Sequence, residues 1–380
     1  MTSSTVDQVE QLVAALLRTL DALGYITRHL NPLGFAHQLA RVGEPDADLR
    51  AARASPDWED PYSALRPLLD ASSDQALAAF DGLREALAPP EDITRAYKAL
   101  RHVPRALEAL YPLAGIIPSV NRFFLEPAHR PDKELQARFM KQPPPPQTGL
   151  MCFGDDPDAR TSVWVYVPET YDAQRPHPVI FALHGGSGRG RAFIWSWVAA
   201  ARTRGAILVA PTSLGQTWAI QGEDQDTPHL THILAFIRER WTIDPSRILL
   251  TGMSDGGTFT YASGLEAASP FTHLAPVAAA FHPMLVQAAS AERLNRLPIH
   301  ILHGQRDWMF PIDMARDAHR HLASAGASVT YRELDDLSHS YGSDLSSMII
   351  NWLLAGSKFR SICVTESTDE ARHGASSENR

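Results

Sequence analysis

Three residues in the second half of the chain have the types and the order needed to activate a nucleophile. Ser254 stands in Gly252-Met253-Ser254-Asp255-Gly256-Gly257, after the apolar run 247–251 and before a helix-like stretch from Thr258. Strand, G-x-S-x-G, helix is the context that lifts a serine hydroxyl clear of a sheet on a tight turn. Gly252 and Gly256 remove Cβ atoms that would collide there, and Gly257 lets the following helix pack closely. A bare Gly-Ser surface turn is the plainer reading of the motif, so its partners decide. A serine hydroxyl is a poor nucleophile until a base takes its proton. The order nucleophile, acid, histidine points to Asp307 and His339.

Asp307 follows the apolar run 298–302 and His303-Gly304, and His339 follows a second run, 328–334, in a polar loop ahead of an apolar helix at 342–354. Both are expected at the carboxyl ends of strands, where open α/β sheets gather their ligands. In this scheme His339 takes the Ser254 proton and later returns it to a leaving alkoxide. Asp307 holds the imidazole tautomer and stabilises the imidazolium. Asp313, Asp335 and Asp336 are the alternative acids, the last two read as loop or helix-cap residues beside His339. His319 and His321 fall on an amphipathic helix and His373 in a polar tail, and no strand directs any of them to the site.

A third element completes the chemistry. The apolar run 178–183 leads into His184-Gly185-Gly186-Ser187-Gly188. Such a side-chain-free loop presents a backbone N–H to a developing oxyanion. Gly186 is the expected donor, and the N–H of Asp255, after the nucleophile, is the second. A phosphate loop is the competing reading, but the lysine of G-x-x-x-x-G-K-[ST] is missing. Ser187, Trp218 and Trp308 lie where they could touch substrate, although core packing is the commoner fate of large aromatics. Asp255 could also cap the following helix or contact substrate. His229 and His232 share a helical spacing, but without a third ligand they read as a solvated face and no metal site is expected.

The elements that must hold these residues alternate from Thr161 onward. Strands are expected at 163–167, 179–183, 206–210, 247–251, 274–281, 299–302 and 329–334. Helices are expected near 190–204, 227–241, 256–266, 313–325 and 342–354. Such alternation implies an α/β architecture, a mostly parallel central sheet flanked by helices. Residues 1–140 read differently, as an all-helical N-terminal region. Val9, Leu12, Val13, Leu16, Leu17 and Leu20 recur at helical spacing. A helix through Leu65, Leu68 and Leu69 and another through Leu77, Phe80, Leu83 and Leu87 are separated by Ser72-Ser73-Asp74 as an N-cap. Tyr97, Leu100, Val103, Leu107 and Leu110 suggest one more. The region carries no chemistry of its own; covering the site, packing on the far side of the sheet and a dimer contact are its candidate roles. Residues 141–159, with four consecutive prolines at 143–146, read as a linker, 160–355 as the catalytic domain and 356–380 as a disordered polar tail. The segment between 281 and 298 is too short for a large lid.

With these motifs placed, residues 160–355 resemble the α/β-hydrolase superfamily of serine esterases. They are most similar to its phospholipase/carboxylesterase and poly(3-hydroxybutyrate)-depolymerase-like families. The matching features are Leu183-His184-Gly185-Gly186, Ile243-Asp244-Pro245-Ser246-Arg247, Gly252 to Gly257, and His303-Gly304-Gln305-Arg306-Asp307 with Pro311. The resemblance implies an α/β-hydrolase fold and hydrolysis of carboxylic esters through an acyl-enzyme, with no metal or organic cofactor. A serine peptidase resembling the prolyl oligopeptidase group, and a non-catalytic binding module on the same scaffold, are the alternatives.

Composition bounds the partners. The chain has 380 residues, formal net charge −8 and two cysteines, Cys152 and Cys363. Net negative charge argues against nucleic acid. Two scattered cysteines imply no disulfide framework and fit a reducing compartment, so a cytoplasmic location is expected. No run reaches the ~18 apolar residues of a membrane span, and the N-terminus lacks the pattern of a signal peptide. The expected partners are a small-molecule ester and, for assembly, a second copy of the chain in a homodimer.

Overall fold

The computed structural model describes residues 4–54, 58–89, 91–141 and 143–356. The tail expected to be disordered lies, from residue 357 on, outside the described residues, as do His373 and Cys363.

Among the described residues eight α-helices come first: α1 (Thr5–His29), α2 (Phe35–Val42), α3 (Pro45–Arg53), α4 (Arg66–Leu87), α5 (Ile93–Leu100), α6 (His102–Leu110), α7 (Pro118–Phe123) and α8 (Lys133–Phe139). Ser4 opens α1 with a capping box, its hydroxyl accepting from the Asp7 N–H while the Asp7 carboxylate accepts from the Ser4 N–H. The stripe through Val9, Leu12, Leu16, Leu20, Leu23 and Ile26 is buried. Two boundaries differ from expectation. Ser72 and Ser73 do not cap a helix: α4 runs through them, and their hydroxyls donate to the Ala106 and Leu69 carbonyls inside the core. The stripe from Tyr97 to Leu110 is two helices, broken at Arg101.

The sheet follows: β1 (Gly149–Phe153), β2 (Val163–Val167), β3 (His177–Leu183), then α9 (Gly190–Phe193), α10 (Val198–Arg204), β4 (Ile207–Pro211), α11 (Asp226–Arg240), β5 (Ile243–Met253) and α12 (Asp255–Gly264). It closes with β6 (His273–Val277), α13 (Met284–Ala288), α14 (Ala291–Leu294), β7 (Pro298–Gly304), α15 (Ile312–Ser324), β8 (Ser328–Leu334) and α16 (Ser343–Ala355). The strand order is β1-β2-β4-β3-β5-β6-β7-β8, antiparallel at β1–β2 and β2–β4 and parallel elsewhere. The expected α/β-hydrolase sheet is therefore present, with helices on both faces. The segment read as a linker, 141–159, holds β1, an edge strand that pairs with β2. Its five residues follow the proline run and stop at Gly154, too short to show a period against that background.

Strand residues alternate between two cores, as a period of two requires. Val163, Val165, Val179, Phe181, Leu183 and Leu250 face α11, α12 and α15. Trp164, Tyr166, Ile180, Ala182, Leu208 and Leu249 face the other way, into one continuous cluster with α10, α16 and the N-terminal helices. The N-terminal helices thus pack on this face of the sheet. Polar contacts fix the join. Arg202 of α10, 1% exposed, donates to Glu169 at 3.3 Å, to the Asn121 carbonyl at 2.9 Å and to the Asn121 side chain at 2.8 Å. Tyr111 and Tyr166 also donate to Glu169, at 2.5 and 2.7 Å. Arg191 of α9 forms a fork on Glu108 of α6, at 3.0 and 2.7 Å.

Candidate active site

The turn between β5 and α12 places Ser254 in a conformation that L residues rarely adopt, φ 56° and ψ −120°. Its neighbours explain how the chain tolerates this. A Cβ on Gly252 would overlap the Gly256 carbonyl, and one on Gly256 would stand 2.5 Å from the carbonyl oxygens of Leu183 and His184. The Ser254 N–H donates to the Val277 carbonyl on β6 at 3.0 Å, which ties the turn to the sheet. The serine is 7% exposed.

Asp307 and His339 converge on it from the ends of β7 and β8. Ser254 Oγ lies 3.0 Å from His339 Nε2, and His339 Nδ1 lies 2.9 Å from Asp307 Oδ2 and 3.1 Å from Oδ1. The other demands of the carboxylate are met by the N–H groups of Met309 and Phe310, at 2.9 and 2.8 Å. Burial pushes the Asp307 carboxyl up, but the His339 bond and charge, the Phe310 N–H and the nearby His303 together hold it below the usual carboxylate value. The Phe310 ring stands edge-on to His339, centroids 5.2 Å apart. His303, whose Nε2 faces the Phe310 carbonyl at 2.8 Å, sits 3.5 Å from Asp307 Oδ2.

Two of the competing acids and two of the competing histidines are engaged elsewhere. Asp336 pairs with Arg28 and Asp313 with Arg316. His319 lies over Tyr331 and His321 near Phe281.

The loop 184–188 packs over the turn. Gly186 and Asp255 abut, since a Cβ on Gly186 would stand 2.8 Å from Asp255 Oδ2. That carboxylate accepts from the Thr217 hydroxyl at 2.6 Å. His184 braces the loop in its neutral form: Nδ1 faces the Gly185 carbonyl at 2.7 Å, and Nε2 accepts the Ser213 N–H at 3.1 Å. Burial lowers its pKa to about 4, against the opposing pull of the Gly185 carbonyl. Ser187 is exposed at φ 55°, at the bend closed by Gly188 N–H on the Gly185 carbonyl.

The two tryptophans expected beside substrate part company. Trp308 is 48% exposed next to Asp307. Trp218 is 2% exposed, donates to the His184 carbonyl at 2.8 Å and stacks on Phe259. It supports the glycine loop from behind, which corrects its expected place in a substrate pocket. Tyr97 was read only as one position of an apolar helical stripe, yet its hydroxyl donates to the His339 carbonyl at 3.0 Å. Helical spacing carries no signal for a contact with a loop more than two hundred residues away.

The strand order and the turn after β5 are those of an α/β-hydrolase fold. Residues 221–354 match the family model described as phospholipase/carboxylesterase, a stretch that includes Ser254, Asp307 and His339 but not the glycine loop. Parts of the chain are similar to esterases. It is 33% identical over 113 residues to a probable feruloyl esterase C of Aspergillus oryzae, covering 28% of this chain and 41% of that protein. It is 29% identical over 154 residues to a bifunctional acetylxylan esterase/xylanase of Neocallimastix patriciarum, covering 39% of this chain and 22% of that protein. The chain thus spans less than half the length of these curated relatives. Among solved structures it is similar to a thermostable esterase, with 21% identity and a TM-score of 0.44 over 54% of this chain and 62% of the other. Among the described residues, no helix is long and apolar enough to cross a membrane.

Proposed function

We propose that the protein is a serine hydrolase of carboxylic esters that works through an acyl-enzyme on Ser254. One observation carries this reading: the unbroken chain of hydrogen bonds from Ser254 Oγ through His339 to Asp307, set on a strained turn. His339 Nε2 takes the hydroxyl proton as Oγ attacks the ester carbonyl carbon. Asp307 remains ionised and holds Nδ1–H toward itself, so the lone pair of Nε2 faces the serine. The carbonyl oxygen, now anionic, accepts the N–H groups of Gly186 and Asp255. When the tetrahedral intermediate collapses, His339 gives its proton to the departing alkoxide and the acyl group stays on Ser254. Water then repeats the sequence, with His339 again as base, and releases the acid.

Ester rather than peptide cleavage is supported by the feruloyl and acetylxylan esterases among the relatives. It is also supported by the architecture, because the described residues form one sheet and no propeller of the prolyl-oligopeptidase type is among them. Trp308, half-exposed beside Asp307, favours an acyl or alcohol group with a flat apolar face. A cytoplasmic location belongs to this proposal, resting on the scarcity of cysteine. Steady-state turnover of matched p-nitrophenyl esters and anilides, with acetyl and feruloyl esters in the series, tests the reading. Ester turnover that disappears in Ser254→Ala is expected. Faster turnover of the anilides would refute it.

A further inference from the structure

The loop that carries His339 is irregular from 335 to 342, so nothing in its own secondary structure fixes the direction of the imidazole. Contacts from the N-terminal helices do. Tyr97 of α5 donates its hydroxyl proton to the main-chain carbonyl of His339 at 3.0 Å. The Trp308 side chain lies beside the same hydroxyl. Trp308 adjoins Asp307 in the chain. One hydroxyl group therefore ties α5 to the loop that carries His339.

The end of α1 grips the same loop from another side. Arg28 donates through Nε to Asp344 at 2.9 Å and through Nη2 to Asp336 at 3.0 Å, and its carbonyl accepts the Ser340 hydroxyl at 2.8 Å. Gly342 leaves room for the Arg28 side chain, which a Cβ there would meet at Cδ. Burial holds the Tyr97 phenol above its ordinary value, with the Trp308 contact opposing and the Asp307 charge adding, so the hydroxyl keeps the proton it donates.

On the reading of Ser254, His339 and Asp307 as a triad, we infer that Tyr97 is a positioning residue for the base: its hydroxyl ties the His339 loop to α5 and so sets the imidazole between its two partners. Tyr97 touches none of the reacting atoms. Its effect comes through the peptide unit that carries the ring, where a small displacement lengthens the bonds to Ser254 and Asp307 together. The helical layer, which supplies no reacting group, acquires through Tyr97 a part in the reaction.

Tyr97→Phe in the full chain tests this, since it removes one oxygen atom and keeps the ring. Ser72→Ala is the control: it removes a buried hydroxyl of the same helices that bonds the Ala106 carbonyl, far in the chain from either loop. Tyr97→Phe is expected to lower kcat about tenfold on a p-nitrophenyl ester with KM changed less than twofold. Ser72→Ala is expected to lower thermal stability and leave kcat unchanged. A second readout needs no turnover, the downfield proton NMR resonance of His339 Nδ1–H in its bond to Asp307. It should broaden or vanish in Tyr97→Phe and persist in Ser72→Ala. Wild-type kcat together with a sharp, unshifted resonance in Tyr97→Phe would overturn the inference. A wild-type protein that shows the resonance but turns over no ester would overturn the hydrolase reading instead, and the resonance in Tyr97→Phe would still decide the role of Tyr97.

Discussion

His339 Nδ1 lies 2.9 Å from Asp307 Oδ2, while Asp307 Oδ1 accepts the N–H groups of Met309 and Phe310. Asp307 is thereby held by its own turn as well as by His339. Asp307→Asn keeps the shape of that turn but offers the imidazole an amide in place of a charge. Its amide group favours the wrong tautomer or leaves the imidazolium unsupported. The expected result is a fall in kcat of about 10⁴-fold with little change in KM. Steady-state kinetics on one ester checks it, and a loss under tenfold would move the acid to another residue.

Acid should unfold this protein earlier than its carboxylates alone would. Burial lowers the pKa of His184 to about 4, and burial with the nearby Arg332 lowers that of His300 to about 3. Both folded values lie below the ordinary histidine value near 6.5. The folded state therefore refuses protons that the unfolded chain accepts. The stability these groups contribute is whole above about pH 6.5 and declines as pH falls toward 4. Each should steepen the dependence by on the order of 1 kcal/mol per pH unit in that window. Among the described residues His300 Nδ1 has no hydrogen-bond partner, and its ring lies by Trp352, so His300→Leu sacrifices no bond of that atom. Urea midpoints at pH 7 and pH 5 should differ less in His300→Leu than in the wild type; equal slopes would assign the acid sensitivity elsewhere.

The join between helices and sheet should make unfolding a single event. Arg202 is buried against Glu169, and the apolar cluster on that face runs from α1 to α16 without a break. Glu169→Gln removes the charge that balances a buried guanidinium, at a cost of about 3 kcal/mol. Denaturation followed by tryptophan fluorescence and by far-UV circular dichroism should show one coincident transition, displaced in the variant. Two separated transitions would mean that residues 1–140 unfold on their own.

The turn at Ser254 tolerates no side chain at Gly256. A methyl group there must push the Leu183 and His184 carbonyls aside, and the displaced loop carries Gly186. Gly256→Ala should destabilise by about 1–3 kcal/mol and reduce ester turnover by at least about 100-fold, since one misplaced oxyanion donor alone costs that much. Thermal melting and kinetics on the same preparation would separate the two effects. A folded variant with wild-type kcat would show that the loop does not serve the reaction.

Much of the site could be read before the fold was known, because its residues are tied to local pattern. Ser254, Asp307 and His339 each follow a strand by a short, glycine-marked or polar loop, and such loops follow from residue type. What stayed hidden depends on tertiary contact. Ser72 and Ser73 look like a cap until α6 supplies the Ala106 carbonyl for one of them. Trp218 looks like pocket lining until Phe259 and the His184 carbonyl claim both its face and its N–H. Tyr97 looks like one more apolar position of a helix, and only the folding of α5 against the 335–342 loop gives its hydroxyl a partner. The edge strand β1 was masked by the prolines before it, whose composition outweighed five residues of extended chain.

The central claim is that Ser254 is the nucleophile, and covalent capture tests it most directly. The full-length protein is treated with a fluorophosphonate, digested, and the adduct located by mass spectrometry, with Ser254→Ala treated alongside. One phosphonyl group on the peptide holding Ser254, absent from the variant, is the expected result. A folded wild-type protein that takes up no phosphonate, or takes it up equally in Ser254→Ala, would contradict the account.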